Sequence, residues 1–236
     1  MQVKKYRNQH QAFVVEGAKS VLELLQSDFE LQQLYVTENF ENEHRASLKG
    51  TDYEVVTETD LVKAGTYTSN NAALAVARMR QLPAPVVKAD ELVIALDDIR
   101  DPGNLGTIIR IADWYRIEKI ICSETCADFY NPKVIAATMG SFTRMQVHYL
   151  PLAEWLQAQH ATHQIYGASL DGENIHRMQL QPQGIVVMGN EANGIRPEVA
   201  THINQLIKIP AFGKAESLNV ATATAIIIDN FKRGTK

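Results

Sequence analysis

The sequence predicts an α/β protein of two parts, with a parallel sheet in the second part. Three observations lead there. Short apolar runs alternate with helix-periodic stretches along the chain, the pattern of layered α/β domains. Leu92-Val93-Ile94-Ala95-Leu96 is apolar without a break, as in a strand covered on both faces of a parallel sheet. Arg80-Gln81-Leu82-Pro83-Ala84-Pro85 holds two prolines within three residues. That disfavours helix and sheet interior alike and marks a linker. The expected division is 1–82, a linker over 83–90, and 91–236.

Each element has its own signal. In the first part Phe13-Val14-Val15 reads as a strand that Glu16-Gly17 breaks. Val21, Leu22, Leu24 and Leu25 then recur at helical spacing. Leu31 to Thr37, Tyr53 to Val56 and Ala72 to Val76 read as further strands. In the second part, Asp101-Pro102-Gly103-Asn104 is turn chemistry. A helix follows on the stripe Leu105, Ile108, Ile109 and Ala112. Lys119 to Cys122 is the next strand, and Asn131-Pro132 opens a helix that Gly140 stops. Pro151 to His160 reads as helix; Gln164 to Tyr166, Gly184 to Met188 and Leu206 to Ile209 read as strands. Val220 to Ile228 alternates like a strand. Its length, a possible Ser217 cap and the polar extension Asp229 to Arg233 favour helix.

Composition narrows the class. The 236 residues are 45% hydrophobic and 21% charged, as in a soluble globular chain. No apolar run approaches the ~20 residues of a membrane span. The start, Met1-Gln2-Val3-Lys4-Lys5-Tyr6-Arg7, has no secretory apolar region behind it. Cys122 and Cys126 are too few for a disulfide framework or a zinc site. They read as reduced structural thiols of a cytoplasmic protein that needs no metal. The net charge of −4 leaves nucleic-acid binding to local patches. Lys4, Lys5, Arg7 and His10 form one such cluster, which reads first as a frayed, solvated terminus and second as a contact.

Three loops follow strand ends, where open α/β sheets place their ligand sites. The first is Asn104-Leu105-Gly106-Thr107-Ile108-Ile109-Arg110. Arg110 lies opposite the apolar stripe, as either a solvated helix arginine or a fork of donors for a phosphate. The second is Gly189-Asn190-Glu191-Ala192-Asn193-Gly194-Ile195, either a surface turn or a tight loop with polar groups turned inward. The third runs from Ile209 and Pro210 to Glu216-Ser217-Leu218-Asn219-Val220. It reads as an ordinary strand-to-helix connection or as a ligand loop. No GxGxxG, GxxxxGK[ST] or GxSxG is present. A Rossmann-type methyltransferase or dehydrogenase, a P-loop NTPase and a hydrolase of the elbow type are therefore disfavoured.

In this order the loops resemble the three motifs of the SpoU (TrmH-type) RNA methyltransferases of the SPOUT superfamily. Asn104-x-Gly106-xxx-Arg110, Gly189-Asn190-Glu191-xx-Gly194-Ile195, and Ile209-Pro210 with Glu216-Ser217-Leu218-Asn219-Val220-Ala221 carry the likeness. Phe13-Val14-Val15-Glu16-Gly17 with Lys19 and Val21 resembles the family's substrate-binding domain of ribosomal-protein-like fold. The resemblance implies a parallel-sheet domain closed by a deep trefoil knot, an exception to the near absence of knots. It implies S-adenosylmethionine held at Gly189, Ile209 and Leu218, with Asn190 and Gly194 beside them, and a homodimer that completes the site. Transfer to a ribose 2′-hydroxyl of RNA is the implied reaction.

The family gives the first-motif arginine, here Arg110, a base or orienting role. Arginine side chains hold their proton at any ordinary pH, so orientation of phosphate and 2′-oxygen is favoured, and the proton acceptor stays open. Asn104 and Asn219 would orient the arginine or the ribose. Glu191 would fix Arg110 or the loops, and Ser217 would cap the last helix, contact substrate, or both. Two features depart from the family. Trp114-Tyr115-Arg116 follows the first motif, and Lys133 to Thr138 lacks an arginine often found near that point. Ribosomal RNA is preferred over transfer RNA, because the first part resembles that of enzymes acting on large-subunit RNA. A non-catalytic RNA-binding or ribosome-assembly factor of the same fold is the competing expectation.

Overall fold

The computed structural model describes residues 3–233; Met1 and Gln2 of the basic start, and residues 234–236, lie outside the described residues. In chain order the first elements are α1 (Lys4–His10), β1 (Ala12–Glu16), α2 (Ala18–Leu25), β2 (Leu31–Val36), α3 (Glu38–His44), β3 (Glu54–Val55), α4 (Glu58–Ala64) and β4 (Ala73–Arg78). Then come β5 (Leu92–Leu96), α5 (Pro102–Trp114), β6 (Lys119–Ser123), α6 (Pro132–Thr138), β7 (Gln146–Leu150) and α7 (Leu152–Gln159). The last are β8 (Ile165–Asn174), β9 (Gly184–Met188), α8 (Pro197–Ala200), β10 (Gln205–Lys208) and α9 (Val220–Lys232). Among the described residues no helix is long and apolar enough to cross a membrane.

The chain divides into two compact units, 1–81 with 128–144, and 82–127 with 145–236. The sequence reading ran the second region unbroken from 91. The structure instead places 128–144 in the first unit, and the reason is aromatic packing. Phe13 of β1 meets Tyr130 and Phe142 at ring-centroid distances of 4.7 and 6.0 Å, and Phe29 meets Phe142 at 5.9 Å. Arg7 is buried and paired with Asp128 at 2.5 Å. Lys4–His10 is a helix, and Arg7 is withdrawn from the basic cluster expected there. The sheet of this unit has the order β1-β4-β2-β3; β4 runs antiparallel to both its neighbours and β2 runs parallel to β3. Glu16, also buried, closes β1 by accepting from Thr66 N, Thr66 Oγ1 and Tyr67 N.

The second unit is built on a six-stranded, fully parallel sheet of order β10-β8-β9-β5-β6-β7. β5 and β9 sit at its centre and are buried along their whole length, as their unbroken apolar runs require. On one face Val93, Ala95, Ile185 and Val187 pack with Leu152 and Leu156 of α7. α5 starts where Asp101 Oδ1 accepts from Asn104 N at 2.8 Å and Pro102 follows. Its fully buried stripe is the predicted Leu105, Ile108, Ile109 and Ala112. Burying the leucine and the two isoleucines stabilises the fold by ~1.5–3 kcal/mol each. α9 packs along α5, where Tyr115 Oη donates to Asp229 Oδ1 at 3.2 Å.

The tail is a helix, as preferred, but Ser217 does not cap it. Asn219 lies directly before Val220, and its Oδ1 accepts from Ala221 N and Thr222 N at 3.0 and 3.3 Å. Ser217 is two residues too early. β7 has no counterpart in the sequence reading.

Candidate functional site

Sheet order fixes where a ligand can enter. From β5 the chain steps outward to β6 and β7, then crosses to the other side for β8, β9 and β10. β5 and β9 are therefore neighbours whose following loops leave in different directions, the switch point at whose carboxyl ends open α/β sheets place a ligand crevice. Their register pairs Leu96 with Met188. The chain leaving β5 toward the first loop and the second loop consequently start level with one another, and Asp97 N donates to Met188 O at 2.9 Å.

The first loop is pinned from below. Asp98 N donates to Ser123 Oγ at 2.9 Å, and Ile99 N to Cys126 Sγ at 3.3 Å. Asp98 holds a left-handed backbone, φ 61°, uncommon for a residue with a side chain. Its buried carboxylate accepts from Arg100 Nε at 2.7 Å. Burial works to raise the Asp98 pKa, but hydrogen bonds from Arg100 and Thr125 outweigh it and hold the carboxyl below its usual range. Cys122 and Cys126 are both free and buried.

The second loop folds back on itself. Asn190 and Gly194 exchange backbone hydrogen bonds of 2.9 and 2.8 Å. Asn190 Oδ1 accepts from Ala192 N and Asn193 N, while its Nδ2 donates to Asp98 O at 2.9 Å. A Cβ on Gly189 would lie 2.3 Å from the carbonyl carbon of Gly194, so only glycine fits. Gly194 has open space around it but sits at φ 67°, which favours glycine for backbone reasons.

The three loops meet through three side chains. Asn104 Nδ2 donates to Glu191 Oε1 at 2.7 Å. Asn219 Nδ2 donates to Asn104 Oδ1 at 2.9 Å and to Glu191 Oε1 at 3.0 Å. Val220 N approaches the same oxygen at 3.5 Å. One carboxylate at the amino end of α9 thus gathers amides from positions 104 and 219, a placement the helix dipole favours.

The other expected site residues stand outside this cluster. Arg110 is on the exposed face of α5, six residues beyond Asn104 and about 9 Å further along the helix. Ser217 is exposed, and Leu218 is 46% exposed. Ile209 is half-buried just past β10, and Asn190 and Gly194 form the neck of the second loop. Residues 211–219 are all exposed, with Phe212 at 92%. Among the described residues, no hydrogen bond engages the backbone of 210–218. This arrangement offers free backbone donors and acceptors with aliphatic side chains beside a polar cluster, and a guanidinium available to an anion.

Two residues of the site were missed in the sequence, Asp97 and Arg196. Asp97 is fully buried and accepts from Arg196 N and Nε, both at 2.8 Å, and from Nη2 at 2.7 Å. The available signal was a charged dipeptide, Asp97-Asp98, closing a wholly apolar strand.

Comparison with known proteins bears on the family and the fold. Residues 91–229 match the model of the SpoU rRNA Methylase family, and residues 1–75 that of the MRM3-like substrate binding domain. The chain is 26% identical to the 23S rRNA (guanosine(2553)-2′-O)-methyltransferase RlmP of Bacillus subtilis, over 97% of this chain and 91% of that one. Two other curated relatives match over 62% and 60% of this chain, which spans 65% and 59% of their own lengths. Among solved structures, a TrmH-family protein from Porphyromonas gingivalis superposes with a TM-score of 0.87 at 35% identity, covering 99% of this chain and 94% of that one. An AdoMet-bound rRNA methyltransferase from Sinorhizobium meliloti superposes with a TM-score of 0.85 at 28% identity, covering 100% of this chain and 92% of that one.

Proposed function

Because the chain belongs to the SpoU rRNA Methylase family, we propose that it transfers a methyl group from S-adenosylmethionine to a ribose 2′-hydroxyl of structured RNA, with ribosomal RNA the favoured substrate and transfer RNA the alternative. One observation carries the reading: Asn104, Glu191 and Asn219, from three separate loops, converge in one hydrogen-bonded cluster at the crevice. The relatives support it. RlmP is by name a 2′-O-methyltransferase of a 23S rRNA guanosine, and the Sinorhizobium enzyme was solved with AdoMet.

The residues present fit the cofactor. An adenine ring needs an apolar slot and a few hydrogen bonds. Ile209, Leu218 and the unpaired backbone of 210–218 offer both, beside the narrow neck at Gly189, Asn190 and Gly194. When bound, the sulfonium supplies an electrophilic methyl carbon. The protein's task is then to present a 2′-oxygen in line with it and to keep water away. Arg110 orients the phosphate and 2′-oxygen, since a guanidinium offers a rigid fork of donors and keeps its proton. Asn104 and Asn219 hold the ribose side of the site, with Glu191 fixing both amides, and Ser217 contacts substrate from the exposed loop. Residues 1–82 act as the RNA-binding part, with a ribosomal-protein-like fold, supported by the match of 1–75 to a substrate-binding model.

The return of α9 to α5 after β10 is consistent with a trefoil knot over the third loop. The 83% exposure of Trp114 on α5 supports pairing of two copies through that face; sedimentation of Trp114→Glu beside the parent chain tests this. The activity itself is tested with labelled cofactor and RNA from cells lacking the protein. Label should enter RNA and map to a 2′-O-methylated nucleotide that is absent without the protein. Cofactor binding without any transfer, to ribosomal or transfer RNA, would instead make the chain a non-catalytic RNA-binding factor.

A further inference from the structure

We propose that the Asp97–Arg196 pair is a latch that holds the second loop in its ligand-binding shape, which makes Arg196 a positioning residue for the methyl donor. The inference rests on the cofactor site proposed above and adds the device that keeps that site formed.

The loop has two feet. At its start, Asn190 Nδ2 donates to Asp98 O. At its end, the backbone N–H and two guanidinium nitrogens of Arg196 grip the two oxygens of Asp97. Both feet stand on the same dipeptide at the end of β5. Between them, residues 191–194 are exposed. Apart from hydrogen bonds within the loop, those that hold them there among the described residues are the reach of Glu191 to Asn104, Asn219 and Val220. That reach depends on where the feet stand.

Asp97 is wholly buried, so its carboxylate needs a partner in place. Arg196 supplies all three of the contacts described for it. Lysine could replace the charge but not the paired contact, because it has no Nε and Nη2 to set together on the one oxygen Oδ1. Arg196 itself touches neither Asn104 nor Asn219 among the described contacts, and it lies outside the exposed 210–218 loop. Its effect on the site therefore passes through the loop it anchors. The pairing also raises the Arg196 pKa, chiefly through the hydrogen bonds to Asp97, so the guanidinium keeps its charge.

The test compares the full chain with Arg196→Met, Arg196→Lys and Asp97→Asn. Two quantities are read: calorimetric affinity for S-adenosylhomocysteine, and hydrogen exchange at the amides of Asn190 and Gly194 without any ligand. Arg196→Met should weaken binding at least tenfold and speed exchange at those two amides at least tenfold. Exchange in β5 and β9, and affinity for RNA alone, should stay as in the parent chain. Arg196→Lys should recover part of both effects and supplies the readout if Arg196→Met does not fold. Parent-like ligand affinity together with a lower melting temperature would overturn the proposal, because the pair would then be structural only. Faster exchange throughout the second unit would overturn it as well. If the parent chain bound no S-adenosylhomocysteine, the cofactor reading would fall, and the exchange measurement would still decide whether the latch exists.

Discussion

Consider Gly189→Ala. An alanine Cβ at this position would lie 2.3 Å from Gly194 C, 2.4 Å from Ile195 N and 2.5 Å from Gly194 O. Carbon contacts settle at ~3.5–4.0 Å, so one side must retreat by more than ~1 Å. All three atoms are backbone, and no side chain can swing aside. Gly189 follows a strand paired on both sides, so the moving part is the loop, against the Asn190–Gly194 hydrogen bonds. Overpacking of this kind costs ~1–3 kcal/mol. For a chain of this size each kcal/mol lowers the melting temperature by about 2–4 °C, so a fall of about 2–12 °C is expected.

Gly194→Ala is the matched control. A Cβ there meets nothing within 4 Å, but φ 67° is left-handed, which costs a side chain ~1–2 kcal/mol. The two variants should melt at similarly reduced temperatures. Only Gly189→Ala should lose cofactor affinity by more than tenfold, because only that change moves the body of the loop. Melting curves read by circular dichroism and calorimetric titration with S-adenosylmethionine supply the two numbers. Equal losses of affinity in both variants, or a Gly189→Ala chain that melts and binds like its parent, would refute the steric reasoning.

Other consequences can be measured alongside. Arg110 is exposed and no contact is described for it, so Arg110→Ala should leave the melting temperature and cofactor affinity in place. Its methyl transfer should fall about 10²–10³-fold, the loss typical when one transition-state donor is removed. Asn219→Ala should cost ~0.5–2 kcal/mol as a lost cap and also abolish transfer; denaturant titration and a transfer assay separate the two effects. Asp98 has its folded pKa below the unfolded value, so it stabilises the fold above the ordinary carboxylate range and loses that contribution as the pH falls through the folded value. The urea midpoint of Asp98→Asn should therefore change less than the parent's when pH drops below about 4. His148 is lowered by burial first and by Lys119 second. The stability it contributes is present above the ordinary histidine range and lost as the pH falls, so His148→Gln should flatten the stability curve on the acidic side of about 6.5.

The sequence disclosed most where one residue type could serve only one purpose. The unbroken run at Leu92 to Leu96 meant a strand covered on both faces, and it forms one. Asn131-Pro132 meant a helix start, and Asn131 does cap α6 through Lys133 N. Asn104, Glu191 and Asn219 were named from their loops, though their mutual contacts, across 87 and 28 residues, had no local trace. β7 stayed hidden because Gln146-Val147-His148-Tyr149-Leu150 mixes polar with apolar residues, and its pairing with β6 supplies the strand. The same limit hid the membership of 128–144. Phe129, Tyr130 and Phe142 are plain aromatics until Phe13 and Phe29 are placed against Tyr130 and Phe142. Ser217 has the residue type of a cap, whereas two residues of spacing decide for Asn219.

That cap has an evolutionary consequence. The oxygen of the Asn219 amide serves the helix and its nitrogen serves the site. Aspartate, serine and threonine are each one base change from asparagine, and each is a competent helix cap. None can supply the amide nitrogen in the same place. A single point mutation could therefore silence the chemistry while the last helix, and the protein built around it, stayed folded. A lineage on this fold has a short path from enzyme to a factor that only binds RNA, and position 219 is where a sequencer should look first to tell one from the other.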